Sequence, residues 1–587
     1  MTPGLAGFIA CGDDERAWDE TVAGVLEALG SSFDVVPDRG GKPAGACRRT
    51  WLDTFDWRLH RAGLTLEYAG RPRGGELLLS GNASNVGNAT NAANAASSLG
   101  TPGTVSVPNA GNPANPANPA ASPAISQPVI GWQAARPHLM DELPDGPVAS
   151  RIGDLVAPRA LLPVVTVTST TTTHRLLNED GKTVARLLVE RTSIPGPQPA
   201  PLAPRFAITE VRGYSGAART AARLVAGAPG IETATTTTFT EALRALGRRP
   251  GDYSNKVDAV ITAAQPASRA AATILLRLLD TVEANIGGVL ADTDTEFLHD
   301  LRVSVRRTRS ALKLFGDALT GRAGLTEGEV AFFAAEFKWV GDLTTPTRDL
   351  DVHLLDFDDT AHSLSAAKPD DLEPFRAYLE HRRRREFRLL SRGLKSARFT
   401  ELARGWRDRL TAIRDGNPGT RAAAVRSGRD RGAAAETTGT LAMERTRAAF
   451  SKTVRRGAAI TLESPAEILH DLRKRAKELR YALEFFAPLH DRAAQAKVVG
   501  ELKRLQDCLG EFQDTEVQVG EIRALATAML AAGEAPAVTL LAMGEVTAGL
   551  ALRQREARED FGRRFAAFAG IDGQRRISAL LRGKPGR

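Results

Sequence analysis

EFLHDLRVSVRRTRSALKLF, Glu296 to Phe315, and EILHDLRKRAKELRYALEFF, Glu467 to Phe486, are two versions of one segment. They align without a gap from His299 to His470, 171 residues further on, and each contains His-Asp-Leu-Arg. A second pair follows them. KWVGDLTTPTRDLDV, Lys338 to Val352, matches KRLQDCLGEFQDTEV, Lys503 to Val517, at a spacing of 165. Only a small indel separates the two matches, and duplication accounts for both. Apolar residues recur at three and four through both copies, which predicts amphipathic helices.

In the first helix, His299, Arg302, Arg306, Arg309 and Lys313 are the polar positions that matter. At about 100° per residue these five side chains share an arc of about 80°. Leu298, Leu301, Val305 and Leu312 occupy the adjoining arc. The second helix repeats the plan with His470, Arg473, Lys477 and Arg480 beside Leu469, Leu472, Ala476 and Leu483. Glu484 stands where Lys313 stood, so the second row is shorter.

Like charges at helical spacing repel, by a few tenths of a kcal/mol, roughly, per adjacent pair. One basic row is ordinarily a solvated face. The same row twice, each time following the same tetrapeptide, points to an anionic ligand. Arginine suits phosphate because its planar fork donates two hydrogen bonds and keeps its charge. Each histidine either donates when protonated or packs at the helix start. The run Arg382 to Arg385 and the segment Arg553 to Arg564 read as further basic surface. The acids of the second motif (Asp342, Asp349, Asp351 and Asp507, Asp514, Glu516) are expected to pair with neighbouring cations.

Outward from these helices, the helical texture extends from about Ala263 almost to the end, with a looser stretch near Asp415 to Gly439. That break divides it into halves at about 263–412 and 440–575. Upstream, residues 1–255 are rich in strands and turns. Val164 to Leu177 is strongly β-branched, Asn178-Glu179-Asp180-Gly181 supplies a turn, and Thr183 to Val189 returns. Phe206 to Val211 is a further strand after the proline-rich connection Pro195 to Pro204, and Ala217 to Val225 and Thr240 to Leu246 are short helices. Residues 77–135 contain no charged residue and repeat Asn, Ala and Pro, which predicts a disordered insertion.

The 587 residues exceed the needs of one domain, and the net charge of +8 matters only where it is clustered. Three scattered cysteines offer neither a disulfide framework nor zinc spacing. The N-terminal residues lack the basic start and apolar run of a signal peptide, and no stretch supplies about 18 apolar residues. A cytoplasmic protein is expected.

The repeated helices, Arg348-Asp349-Leu350-Asp351-Val352 and Leu505-Gln506-Asp507-Cys508-Leu509-Gly510 resemble the CHAD family, the conserved histidine α-helical domain. The resemblance covers about Ala263 to Phe568. It implies two four-helix subdomains related by a pseudo-twofold axis, a basic channel that binds inorganic polyphosphate, association with polyphosphate granules, and no catalysis. The ligands it implies are His299, Arg302, Arg306, Arg307, Arg309, Lys313, His470, Arg473, Lys477 and Arg480. Lys338, Arg382, Arg385, Lys474 and Lys503 join them as candidates from the same basic helices.

The first third faintly resembles a CYTH domain, the triphosphate tunnel fold. Asp53-Thr54-Phe55-Asp56, Arg61 to Leu66 and Arg248 to Lys256 carry that likeness, which implies an antiparallel β-barrel or tunnel. The catalytic pattern is reduced. Asp13, Asp14 and Glu15 are consecutive and so do not alternate onto one strand face as Glu-x-Glu-x-Lys does, Glu67 is the only charge soon after Gly63, and Glu210 alone remains of the final acidic pair. A degenerate, non-catalytic domain is expected, with no cofactor. A metal-dependent inorganic triphosphatase, needing a divalent cation, is the alternative. Nucleic-acid binding is a further alternative, disfavoured by an aromatic content of only 5% and by the absence of base-reading motifs. A protein partner recruited to the polyanion stays open.

Overall fold

The computed structural model describes residues 5–11, 14–38, 45–71, 74–81, 125–197, 199–320, 324–416 and 436–582. The chain divides into two compact units, Met1–Ser254 and Asn255–Arg587.

The first unit is built on strands β1 Leu5–Ala10, β2 Asp34–Pro37, β3 Cys47–Asp53, β4 Leu64–Arg71, β5 Gly74–Gly81, β6 Ile125–Val129, β7 Leu162–Leu177, β8 Thr183–Ile194, β9 Ala200–Glu210 and β10 Ile231–Thr233. They form one antiparallel sheet in the order β10-β1-β9-β8-β7-β3-β4-β5-β6, with β2 added against β7. Among the described residues β10 and β6 do not pair, so the expected barrel is an open sheet. Helices α1 Glu15–Gly30, α2 Arg58–Arg61, α3 Pro147–Val156, α4 Ser215–Gly227 and α5 Thr238–Ala245 connect and cover it. Asp14, one of the consecutive acids near the start, is the N-cap of α1 and accepts from the Ala17 amide at 2.8 Å.

The expectation of disorder over 77–135 is corrected at both ends. Leu77 to Gly81 belong to β5 and Ile125 to Val129 to β6, and Trp132 and Ala134 are buried beyond it. The repeat itself has little apolar to bury, but the residues flanking it do: Leu77, Leu79, Val129 and Trp132 pack with Val148 and Ile152 of α3. The Asn/Ala/Pro repeat between them, 82–124, lies outside the described residues. The proline-rich connection is also shorter than expected, because Ala200 to Pro204 already lie in β9 opposite β8.

The second unit is helical: α6 Ala267–Leu290, α7 Thr295–Leu319, α8 Glu327–Leu355, the short α9 Phe357–His362, α10 Glu373–Leu394 and α11 Ala397–Asp415, then α12 Thr438–Ala458, α13 Ala466–Phe485, α14 Arg492–Ala532, α15 Ala537–Ala569 and α16 Ile571–Arg582. The repeated segments are α7 and α13. Asp294 caps α7 by accepting from the Glu296 and Phe297 amides at 2.9 and 3.2 Å. Leu298, Leu301, Val305, Leu312 and Phe315 of α7 are buried, as are Leu469, Leu472, Ala476 and Leu483 of α13. The cation row is thereby held at the edge of each core.

Three observations relate the halves. Phe315 meets Phe486, its equivalent 171 residues on, edge to face at 5.5 Å. Pro266 bridges Thr437, again 171 residues on, with Ala267 donating to Glu436 and Thr438 to Gln265, both at 2.9 Å. A shared apolar core joins Leu350, Phe357 and Phe375 to Ile522, Met529 and Met543. Equivalent residues meet each other where a twofold relation operates, and that has a consequence for charge. A cation near such an axis faces a cation.

Candidate anion-binding site

That consequence is realised at Arg306 and Lys477. They are equivalent positions of the repeat, and helices α7 and α13 touch. Burial, then the charges of Arg473 and Arg306 and, more weakly, Arg480, push the Lys477 ammonium down to about 8, with Asp514 partly opposing. Among the described residues Lys477 makes no ion pair and donates no side-chain hydrogen bond. A half-buried ammonium ringed by guanidinium groups is electrostatically unfavourable until an anion arrives.

The α7 row leads to this point. Arg302 is held in place by neutral acceptors, donating to Thr345 Oγ1 at 2.8 Å, Thr344 Oγ1 at 3.1 Å and the Gly341 carbonyl at 3.4 Å. Burial lowers its pKa, partly offset by Asp349 nearby. Arg306 is exposed, Arg309 is half-buried and Lys313 is exposed. Among the described residues none of these three makes an ion pair or a side-chain hydrogen bond. Arg309 lies over Gly341 of α8, its guanidinium 3.4 Å from the position a Cβ there would take. Lysine or arginine left without carboxylates on three successive turns is a face that can take a foreign anion.

The α13 row differs. Arg473 donates to Gln513 Oε1 at 2.9 Å and pairs with Asp514 at 3.0 Å. Arg480 lies 3.4 Å from Glu484 and 5.6 Å over the Tyr481 ring. Both candidates therefore face the site already paired to the protein's own acids.

Arg307 does not join either row. It donates to the Asn255 carbonyl at 2.8 Å and to Glu484 at 3.1 Å, binding one half of the unit to the other. Lys338 pairs with Asp342 at 2.5 Å. Lys474 on α13, Lys503 on α14, and Arg382 and Arg385 on α10 are exposed. His299 and His470 are half-buried in the first turns of α7 and α13. The motif aspartates are structural: Asp300 accepts from Asn255 at 2.8 Å, and Asp471 lies 3.4 Å from Arg456. Asp351 is buried against Arg383, which also clasps Asp292. Thr344, Thr345 and Asn255, which hold the arginines, lie inside Lys338 to Val352 and Arg248 to Lys256, but as uncharged residues they give no sequence sign of that role.

The family model for the CHAD domain matches residues 273–523, spanning both rows. The helical unit carries a CHAD domain. Among solved structures, the CHAD domain from the plant Ricinus communis aligns at 24% identity and a TM-score of 0.43, covering 53% of this chain and 96% of its own. PptA from Streptomyces chartreusis aligns at 18% and 0.38, covering 51% and 99%. At such scores these likenesses decide nothing further. No curated protein matches the chain.

Cavities of about 830 Å³, beside Phe357, Phe375 and Met543, and about 460 Å³, beside Cys508 and Asp560, lie elsewhere in the unit, and their linings include none of the CHAD row cations. In the first unit, part of the sheet is covered by an apolar cluster. Trp51, Val165, Val167 and Leu202 pack against Phe239 and Leu243 of α5 and against Tyr253. Arg49 pairs with Glu67 at 2.6 Å and Glu190 at 2.9 Å. Asp53, raised by burial to about 6, accepts from the amides of Thr54, Leu59 and His60. Among the described residues no three His, Cys, Asp or Glu side chains gather as metal ligands, and no helix is long and apolar enough to cross a membrane.

Proposed function

We propose that the CHAD domain binds inorganic polyphosphate without chemical change, along a track running from Lys313, Arg309 and Arg306 of α7 to Lys477 of α13. The observation that carries this reading is Lys477: half-buried, unpaired and facing its own equivalent, Arg306. A chain of phosphates supplies one negative charge per unit, and so answers several cations on successive helical turns that a single small anion leaves unanswered. The family resemblance and the family-model match favour the same ligand. Association with polyphosphate granules follows as the cellular expectation of such binding, and the first unit serves as an accessory domain rather than a triphosphatase.

Calorimetry with long-chain polyphosphate is the test. Arg306→Ala/Arg309→Ala/Lys313→Ala should bind far more weakly than the parent, with the circular dichroism of the parent retained. Equal affinity in the two proteins removes the reading. Release of phosphate from triphosphate with Mg²⁺ or Mn²⁺, measured on the parent, would instead restore the enzymatic one.

A further inference from the structure

Lys477 has a second property beyond charge. Its amine is unpaired and half-buried, and it sits at the crossing of two helices with Arg306 on α7 and Arg473 and Arg480 on its own helix. Asp514 of α14, an acid that acts on it, is already bound to Arg473 at 3.0 Å. Lys474, one turn away on α13, is exposed. The two lysines thus share a helix and differ in surroundings.

We propose that Lys477 is an acylation site for acyl phosphates, whose phosphate group docks on the unpaired Arg306 guanidinium while the amine takes the acyl group. The proposal rests on the anion-binding reading of the same row. In the step, the neutral Nζ attacks the acyl carbon, a C–N bond forms, and the bond from that carbon to the phosphate oxygen breaks. Inorganic phosphate leaves with the bonding electrons and the amine proton passes to solvent. The product is an amide with no charge.

Two features of the site favour this reaction over acylation of an ordinary surface lysine. Arginines hold phosphate in two-point contact, which raises the local concentration of the donor and stabilises the leaving group. Desolvation and neighbouring cations also keep a large share of the Lys477 amine unprotonated near pH 8. Acylation would remove the α13 cation of the track, so the modification and polyphosphate would exclude each other.

The test is peptide mass spectrometry of the full-length protein after incubation with acetyl phosphate at pH 8. Acetylation at Lys477 should exceed that at Lys474 by about tenfold or more. With acetic anhydride, which has no phosphate to dock, the preference should shrink several-fold. Saturating polyphosphate should suppress the reaction at Lys477 and leave Lys474 unchanged. Equal rates at the two lysines with acetyl phosphate would overturn the proposal. So would an undiminished preference with the anhydride, because intrinsic reactivity would then suffice. Separate calorimetry distinguishes the failures. Polyphosphate binding without selective acetylation sinks this inference alone, and selective acetylation that polyphosphate neither binds nor blocks sinks the function proposed above.

Discussion

Helices α7 and α13 descend from one segment and carry cations at the same positions, yet they resolve the repulsion differently. On α7, Arg306, Arg309 and Lys313 have no acidic partner among the described residues. On α13, Arg473 is answered by Asp514 and Arg480 by Glu484, leaving Lys477 alone. Glu484 replaces the equivalent of Lys313 and reaches Arg307 as well. Part of the second row thus serves to hold the halves together, because one carboxylate there neutralises cations from both. The difference separates charge that is available from charge that is merely present.

The comparison breaks most readily at the α7 row. Arg306→Ala/Arg309→Ala/Lys313→Ala should lose about 3–4 kcal/mol of polyphosphate binding, a fall of about 10²- to 10³-fold. In a salt titration the slope of log K against log[salt] should flatten by about 2 for three lost contacts, if polyphosphate behaves as a single-stranded polyanion. Calorimetry at several salt concentrations reads both. Arg473→Ala/Arg480→Ala should cost only about tenfold, since those cations must first leave their own carboxylates. A larger loss from α13 than from α7 would invert the assignment.

Glu484→Gln sharpens it. Freeing Arg480 should tighten binding several-fold, while loss of the Arg307 contact lowers stability by about 1–3 kcal/mol, read by urea unfolding. Weaker binding by the folded variant would show that Glu484 organises the site rather than restrains it.

The smallest effect is on pH dependence. The anion prefers protonated Lys477, so affinity should fall a few-fold as pH rises through about 8, and Lys477→Arg should flatten that profile. Without ligand the sign reverses. The unfolded chain holds its lysine proton up to about pH 10.4, whereas the folded one releases it near 8, so the stability contribution of this group rises with pH across that window. Lys477→Met should therefore stabilise the free protein at pH 7, by about 1–2 kcal/mol after allowing for solvent screening, and weaken binding. Unchanged pH profiles in Lys477→Arg would remove Lys477 from the track.

Much of the helical unit was legible because its signals are local. The edge Leu298-Leu301-Val305-Leu312 is buried as its spacing implied, and the acids Asp342, Asp351 and Asp514 do pair with cations. Arg307 was misjudged for a reason visible on a helical wheel. It lies about 130° round from the row of Arg302, Arg306 and Arg309, and so faces the other half. In the first unit the strands were legible from β-branched runs. Closure of the sheet was not, because it depends on whether edge strands meet. The ends of the Asn/Ala/Pro insertion were missed because the repeat, with little apolar to bury, hid the flanking apolar residues Leu77, Leu79 and Trp132.

By itself the sequence determined the duplication, the two amphipathic helices and the cations they bear, since periodicity and composition act within a few residues of the chain. Only the tertiary structure decided which cations stay unanswered. Arg473 meets an acid 41 residues away and Arg307 one 177 residues away, and Arg306 faces Lys477 only because the twofold relation of the halves sets equivalent positions against each other. Charge pairing at such separations is a property of packing, and no local pattern encodes it.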